Sequence, residues 1–201
     1  MPRISRRRSV LALASLLVGS LLADKAAAGS PPAVRPVSGF AIERYLGTWH
    51  EIAAIPTSFQ KDCVAETTAT YALAEDGDDL VVLNGCLEAD GTRATAEGRA
   101  RFTGPRDTGA LEVTFVQLFG LWLWPLAGDY IVIGLGEDYR WAAIGHPSRD
   151  FGWILARSKT LEPQRLGRIE ALFREAGYDS CRLLLSPRTP GAPRPPLCAL
   201  P

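Results

Sequence analysis

Residues 136–157 read Gly136-Glu137-Asp138-Tyr139-Arg140-Trp141-Ala142-Ala143-Ile144-Gly145-His146-Pro147-Ser148-Arg149-Asp150-Phe151-Gly152-Trp153-Ile154-Leu155-Ala156-Arg157. Two short apolar runs, 139–145 and 151–157, are set apart by Gly136-Glu137-Asp138 and Pro147-Ser148. In the second run Phe151, Trp153, Leu155 and Arg157 fall on one side if the chain is extended, which is the period of a strand. Gly accepts a positive φ without steric clash, and Pro cannot donate to a sheet ladder, so the breaks are turns.

The same pattern extends towards the N-terminus. It predicts strands near 48–55, 64–73, 80–87, 95–103, 110–116 and 128–135, with breaks at Asp76-Gly77, Asp90-Gly91 and Gly104-Pro105. Leu111, Val113 and Phe115 share one strand face. Eight short strands at this spacing predict an all-β protein, either an antiparallel sandwich or a closed barrel. Towards the C-terminus the period changes. Pro163 suits a first helical turn, Leu166, Ile169, Leu172, Phe173 and Ala176 make one apolar stripe, and Gly177 can end the helix. A short strand at 182–186 and a Pro-rich tail at 187–201 follow.

The first 28 residues read as an export signal. Arg3, Arg6, Arg7 and Arg8 precede an apolar run from Val10 to Ala23, and Ala26-Ala27-Ala28 offers a cleavage site. That run is shorter than the ~20 residues a spanning helix needs. Arg7-Arg8-Ser9-Val10-Leu11 also fits a twin-arginine signal, and ordinary secretion stays open beside it. Residues 29–38 read as a flexible lead-in to a domain at 39–186. The whole chain of 201 residues balances 22 Lys+Arg with 22 Asp+Glu. Taking five basic residues and one acidic residue away with the signal leaves 17 against 21, a net charge of −4. A mildly acidic chain argues against nucleic acid as a partner. Cys63, Cys86, Cys181 and Cys198 all follow the signal, and an even count in an oxidising compartment reads as two disulfides. No cysteine follows the apolar run closely enough for acylation, so the expected location is periplasmic or secreted without a lipid anchor.

Three short motifs now carry a resemblance. Gly47-Thr48-Trp49 opens the first strand, Gly128-Asp129-Tyr130 the sixth, and Trp153-Ile154-Leu155-Ala156-Arg157 closes the eighth. Together with Tyr45-Leu46-Gly47-Thr48-Trp49-His50-Glu51-Ile52-Ala53, Phe59-Gln60-Lys61-Asp62-Cys63 and Asp138-Tyr139-Arg140-Trp141-Ala142, they resemble the signature regions of the lipocalins, most of all the bacterial, apolipoprotein D-like branch. The resemblance covers about residues 39–186. It implies an eight-stranded up-and-down barrel, shut at one end and open at the other, with one helix outside. It also implies that Arg157 stacks on Trp49 to plug the closed end, a structural role. His50 departs from the Tyr that often follows the signature Trp.

Candidate ligand contacts follow from alternation. With Trp49 inward, Glu51 and Ala53 share its side, and Trp153 shares a side with Arg157. Tyr71, Phe115, Tyr130, Tyr139 and Trp141 are further lining candidates. Glu51 could anchor a polar head group or simply be satisfied by its neighbours. His50 and His146 read as surface residues, since neither belongs to a base-nucleophile-orienter set or to a spaced metal-ligand set. No catalytic residue, metal or cofactor is expected. Residues 118–127, Leu-Phe-Gly-Leu-Trp-Leu-Trp-Pro-Leu-Ala, carry no charge, yet they connect two strands at the end shared by the 56–62, 88–94 and 146–150 connections. Phe119, Leu121, Trp122, Leu123 and Trp124 are expected to form a lip touching lipid; an inward lid and a dimer contact are the rival readings.

Cys63 and Cys86 bracket one hairpin at the end away from its turn, and Cys181 and Cys198 flank the folded-back tail, which favours those two pairings. The resemblance offers a rival, 63–198 with 86–181. The expected function is an exported protein, monomer or dimer, that binds a fatty acid or lysophospholipid in its barrel for transport, storage or membrane-lipid maintenance. A filled barrel that works through its 118–127 loop and an enzyme on the same scaffold are the alternatives.

Overall fold

The computed structural model describes residues 32–75, 77 and 79–200. The export signal and Asp76 of one expected turn lie outside the described residues. Eight strands form the barrel: β1 (Gly47–Ala54), β2 (Cys63–Leu73), β3 (Leu80–Glu88), β4 (Arg93–Phe102), β5 (Ala110–Thr114), β8 (Gly128–Leu135), β9 (Trp141–Gly145) and β10 (Gly152–Ala156). Between β5 and β8 lies a small hairpin, β6 (Gln117–Leu118) and β7 (Leu121–Trp122). Each barrel strand pairs antiparallel with the next, and β10 closes on β1. All eight expected strands are present, and the closed ring leaves a barrel rather than a sandwich.

Two features of β1 shape the open end. Its register against β10 shifts between Glu51 and Ala53. This bulge turns Ile52 and Ala53 together to the outside, so strict alternation fails beyond Glu51. Where β2 also loses register, between Cys63 and Thr68, a two-residue strand β11 (Leu184–Leu185) pairs with the end of β1 in its place. Ser186 N–H donates to the Ile52 carbonyl and Glu66 N–H to Pro187, so the C-terminal segment bridges the gap between the two strands.

Helix α2 (Pro163–Glu175) starts on the Pro and stops before Gly177 at φ +80°, a conformation that glycine adopts without strain. Its Leu166, Ile169 and Phe173 are buried against Ile52, Ala53, Ala143, Ile154 and Ala156 on the barrel's outer face. Burying each of these helix side chains contributes about 1.5–3 kcal/mol. Cys63 pairs with Cys86 and Cys181 with Cys198. The second bridge holds the tail, whose Leu197 is buried in the same outer cluster. The described part of the lead-in runs against the barrel rather than hanging free. Val37 N–H donates to Val132, and the Val37 carbonyl accepts from Gly109.

A single helical turn, α1 (Ile42–Tyr45), crosses the closed end. Trp49 is fully buried beneath it and donates its indole N–H to the Tyr45 carbonyl at 2.8 Å. The Arg157 guanidinium lies 3.8 Å from the Trp49 ring centre and donates to the carbonyls of Arg44, Tyr45, Leu46 and Thr48. One cation therefore covers the indole face and bonds four main-chain carbonyls at this end, sharing that of Tyr45 with the Trp49 indole.

Candidate functional site

Above this plug the barrel is hollow. A cavity of about 240 Å³ opens at the other end, lined deep down by Ala69, Tyr71, Val82, Val113, Tyr130 and Leu155. Phe59, His146, Phe151 and Trp153 lie nearer the mouth, with Glu51, Gln60, Asn84 and Asp129 among the polar residues of the wall. A dry cavity of about 150 Å³ holds a benzene-sized molecule. This one is larger.

Its floor is a hydroxyl triad. The Tyr130 hydroxyl is 2.7 Å from that of Tyr45 and 2.8 Å from that of Tyr71. The three groups satisfy one another, which lets polar atoms sit beneath an apolar cavity. Burial raises all three phenols above their usual value, Tyr71 to about 12. A phenol whose proton is held more tightly in the fold contributes stability that is complete below pH 10 and is lost as pH climbs towards 12. Unfolding free energy should therefore stay flat to pH 9 and then fall, with each such group contributing up to about 1.4 kcal/mol per pH unit. Urea unfolding at pH 9 and pH 11, read beside phenolate absorbance, checks this. Ionisation of all five tyrosines near pH 10 in the folded protein would contradict it.

Glu51 reaches the wall from β1 and is almost fully buried. Gln60 Nε2 donates to its Oε2 at 2.8 Å, and the Ser186 hydroxyl donates to Oε1. The Arg188 guanidinium donates to its main-chain carbonyl at 2.7 Å.

Of the residues expected to line the cavity, the structure brings together Glu51, Tyr71, Phe115, Tyr130 and Trp153. Three lie elsewhere. The β1 bulge sends Ala53 outward, under α2. Tyr139 sits in the β8–β9 turn at φ +55°, where strand alternation does not apply. There it packs on Phe40 and beneath Arg44 at the closed end, accepting from the Ala41 N–H at 2.7 Å. Trp141 faces outward, because Ala142 and Ile144 are the β9 residues that point into the barrel.

Phe59, Gln60, His146 and Phe151 join the lining from connections rather than from strand interiors. His146 is thus a mouth residue, its Nδ1 2.9 Å from the Ser148 hydroxyl and its ring edge-on to Phe151. His50 faces an outer groove with Glu66, Arg93, Lys159 and Arg188. Partial burial, then the cations Arg188 and Lys159, lower its pKa from the usual imidazole value.

The 118–127 connection does not fold inward as a lid. None of its residues lines the cavity. Instead the hairpin folds back along the outer face of β4 and β5. Leu123 N–H donates to the Val116 carbonyl, and the Thr114 hydroxyl donates to the Leu123 carbonyl. Trp122 lies 5.1 Å below Arg99 and Trp124 4.1 Å below Arg101, both cations from β4. Trp122, Leu123 and Trp124 are thereby half-buried, while Phe119 is 96% exposed and Leu121 71% exposed. Phe119 at φ +50° and Gly120 at φ +81° form the two-residue turn at the tip.

Comparison with known proteins agrees with this geometry. A family model described as a lipocalin-like domain matches residues 40–188. An outer membrane lipoprotein Blc from Vibrio cholerae is 34% identical over 179 residues, covering 89% of this chain and 96% of its own. Temperature-induced lipocalin-1 from Arabidopsis thaliana is 38% identical over 158 residues, 78% of this chain and 84% of its own. Apolipoprotein D from Mus musculus is 33% identical over 156 residues, 75% of this chain and 78% of its own. Among solved structures, insecticyanin from the tobacco hornworm Manduca sexta superposes with a TM-score of 0.62 at 22% identity, covering 80% of this chain and 87% of that one. The signature segments, the closed eight-stranded barrel with its Trp–Arg plug and the outer helix thus meet in one chain, which belongs to the lipocalin family.

Proposed function

We propose that this lipocalin is an exported carrier of a small single-chain lipid, a fatty acid or a lysophospholipid, held tail-down in the barrel. The observation that carries the reading is the cavity itself, mainly carbon-walled and open at one end. Each methylene moved from water into such a wall contributes about 0.8 kcal/mol, so an acyl chain needs no polar code for useful affinity. Binding without catalysis agrees with the side chains present. Both cysteine pairs are disulfides, and the Glu51 carboxylate is engaged by Gln60 and Ser186. Displacement of a fluorescent apolar probe by saturating chain lengths tests the reading. One chain bound per protein supports it, and refusal of every chain offered rejects it.

Export is supported by the signal at residues 1–28 and by two disulfides, which persist in oxidising compartments. The Vibrio cholerae relative is named an outer membrane lipoprotein. Here the first cysteine, Cys63, is committed to Cys86, so we place the protein in the periplasm or outside the cell without an anchor on that residue.

Transfer from a bilayer would use the hairpin beside the mouth. A bulky residue at positive φ is strained, and Phe119 combines that strain with nearly complete exposure. Leu118 and Leu121 flank it, and the Arg–Trp stacks hold the hairpin in place. Such a tip fits a lipid surface. The paired change Phe119→Ser and Leu121→Ser should lower vesicle binding about tenfold or more at unchanged thermal stability, since it removes lipid-facing carbon and no buried contact. Sedimentation with zwitterionic vesicles measures it. Equal binding of the variant and the parent removes the hairpin from the transfer step.

A further inference from the structure

The charges around the cavity bear on which head group it accepts, an inference that rests on the carrier reading above. Among the described residues that line the cavity, Glu51 and Asp129 are the acidic ones and none is Lys or Arg. The cation nearest Glu51 in the hydrogen-bond network, Arg188, is bonded to its main-chain oxygen and sits in the outer groove with His50, Glu66, Arg93 and Lys159. Gln60 and Ser186 orient the Glu51 carboxylate, and the attraction between it and Arg188 acts from the outer groove, leaving the face of the wall itself without a cation. The mouth adds aromatic faces. Phe151 and Trp153 are stacked with ring centres 6.2 Å apart and an interplanar angle of 15°, His146 stands edge-on to Phe151, and Phe59 lies on the short 3-10 turn Ser58–Gln60 that also carries Gln60. Carboxylates beside aromatic faces attract an ammonium centre through charge and the ring quadrupole together. The same wall repels a carboxylate head and offers it no cation.

We propose that the cavity selects single-chain amphiphiles whose head carries an ammonium nitrogen over free fatty acids of equal length. Two sources share that chemistry, a lysophospholipid with a choline or ethanolamine head and a simple long-chain amine. The test is calorimetric titration of the mature protein, below each ligand's micelle concentration, with four fourteen-carbon probes (a length chosen as roughly the shortest common acyl chain). These are tetradecanoate, tetradecyltrimethylammonium, myristoyl lysophosphatidylcholine and monomyristoylglycerol as the neutral reference.

The expected order has tetradecyltrimethylammonium about tenfold or more tighter than tetradecanoate, with the glycerol ester between them. In Glu51→Gln the ratio of ammonium to neutral affinity should fall several-fold. If that variant does not fold, the salt dependence of the parent serves instead, because the ammonium preference should shrink as ionic strength rises. Lysophosphatidylcholine binding as tightly as the simple ammonium identifies the zwitterionic source, and much weaker binding identifies the amine. Equal affinity for carboxylate and ammonium, or a tighter carboxylate, overturns the proposal while leaving the carrier reading intact. If the neutral ester and all charged probes fail together, it is the carrier reading that falls.

Discussion

Trp49→Ala is expected to lower the unfolding free energy by about 3–5 kcal/mol, the range for removing a large aromatic side chain from a packed core. Trp49 has no exposed surface, packs on Tyr45 with ring centres 4.7 Å apart, and donates its indole N–H to the Tyr45 carbonyl. Truncation also takes the aromatic face from beneath Arg157, whose guanidinium then covers a void. Urea unfolding followed by far-ultraviolet circular dichroism measures the loss. A companion change separates packing from charge. Arg157→Met keeps much of the volume over the indole but takes a donor from four main-chain carbonyls, and should cost less than the Trp49 change. Of these carbonyls, that of Tyr45 keeps the Trp49 indole, and those of Arg44 and Thr48 lie at the exposed edge. A loss below about 1 kcal/mol for Trp49→Ala would contradict the description of the closed end as part of the core.

The second large effect is on binding. Val113→Trp places an indole into the cavity from β5, where Val113 is a lining residue packed against the interior cluster. An indole there displaces about four methylenes of a bound chain, worth about 3 kcal/mol, so affinity should fall more than about a hundredfold. The fold should lose little, at most about 1–3 kcal/mol, because the added group enters space that is already open. Probe displacement reads the first quantity and thermal melting the second. Unaltered affinity in a folded variant would place the ligand somewhere other than the barrel.

Much of the architecture was legible from residues alone because its signals are local. Turn residues fix where strands end, and Pro163, Gly177 and the stripe between them fix the helix. The Cys63–Cys86 bridge likewise joins two neighbouring strands at the end away from their turn, and Cys181–Cys198 ties the tail back beside the helix end. What was not legible depends on breaks in periodicity. The β1 bulge inserts one residue, so Glu51 points inward as alternation requires while Ala53 does not. Tyr139 was assigned a strand face but sits in a turn, and Trp141 sits one position out of phase with the inward Ala142 and Ile144. The pairing of β11 with β1 depends on a loss of register in β2 that its composition does not announce. Phe59, Gln60 and His146 come to the mouth on connections, whose paths no strand rule describes. The 118–127 segment was conspicuous for its lack of charge, yet the division of labour within it needed coordinates. Its tryptophans brace the hairpin under Arg99 and Arg101, and Phe119 is the residue left projecting.

The most direct test of the carrier account is native mass spectrometry of the mature protein, purified without detergent from a bacterial host that exports it, beside the Val113→Trp variant. The account predicts a one-to-one adduct on the parent that is lost on denaturation, has the mass of a single-chain lipid, and is absent from the variant. Parent protein that stays bare after exposure to excess single-chain lipid would contradict it, as would an adduct retained equally by the variant.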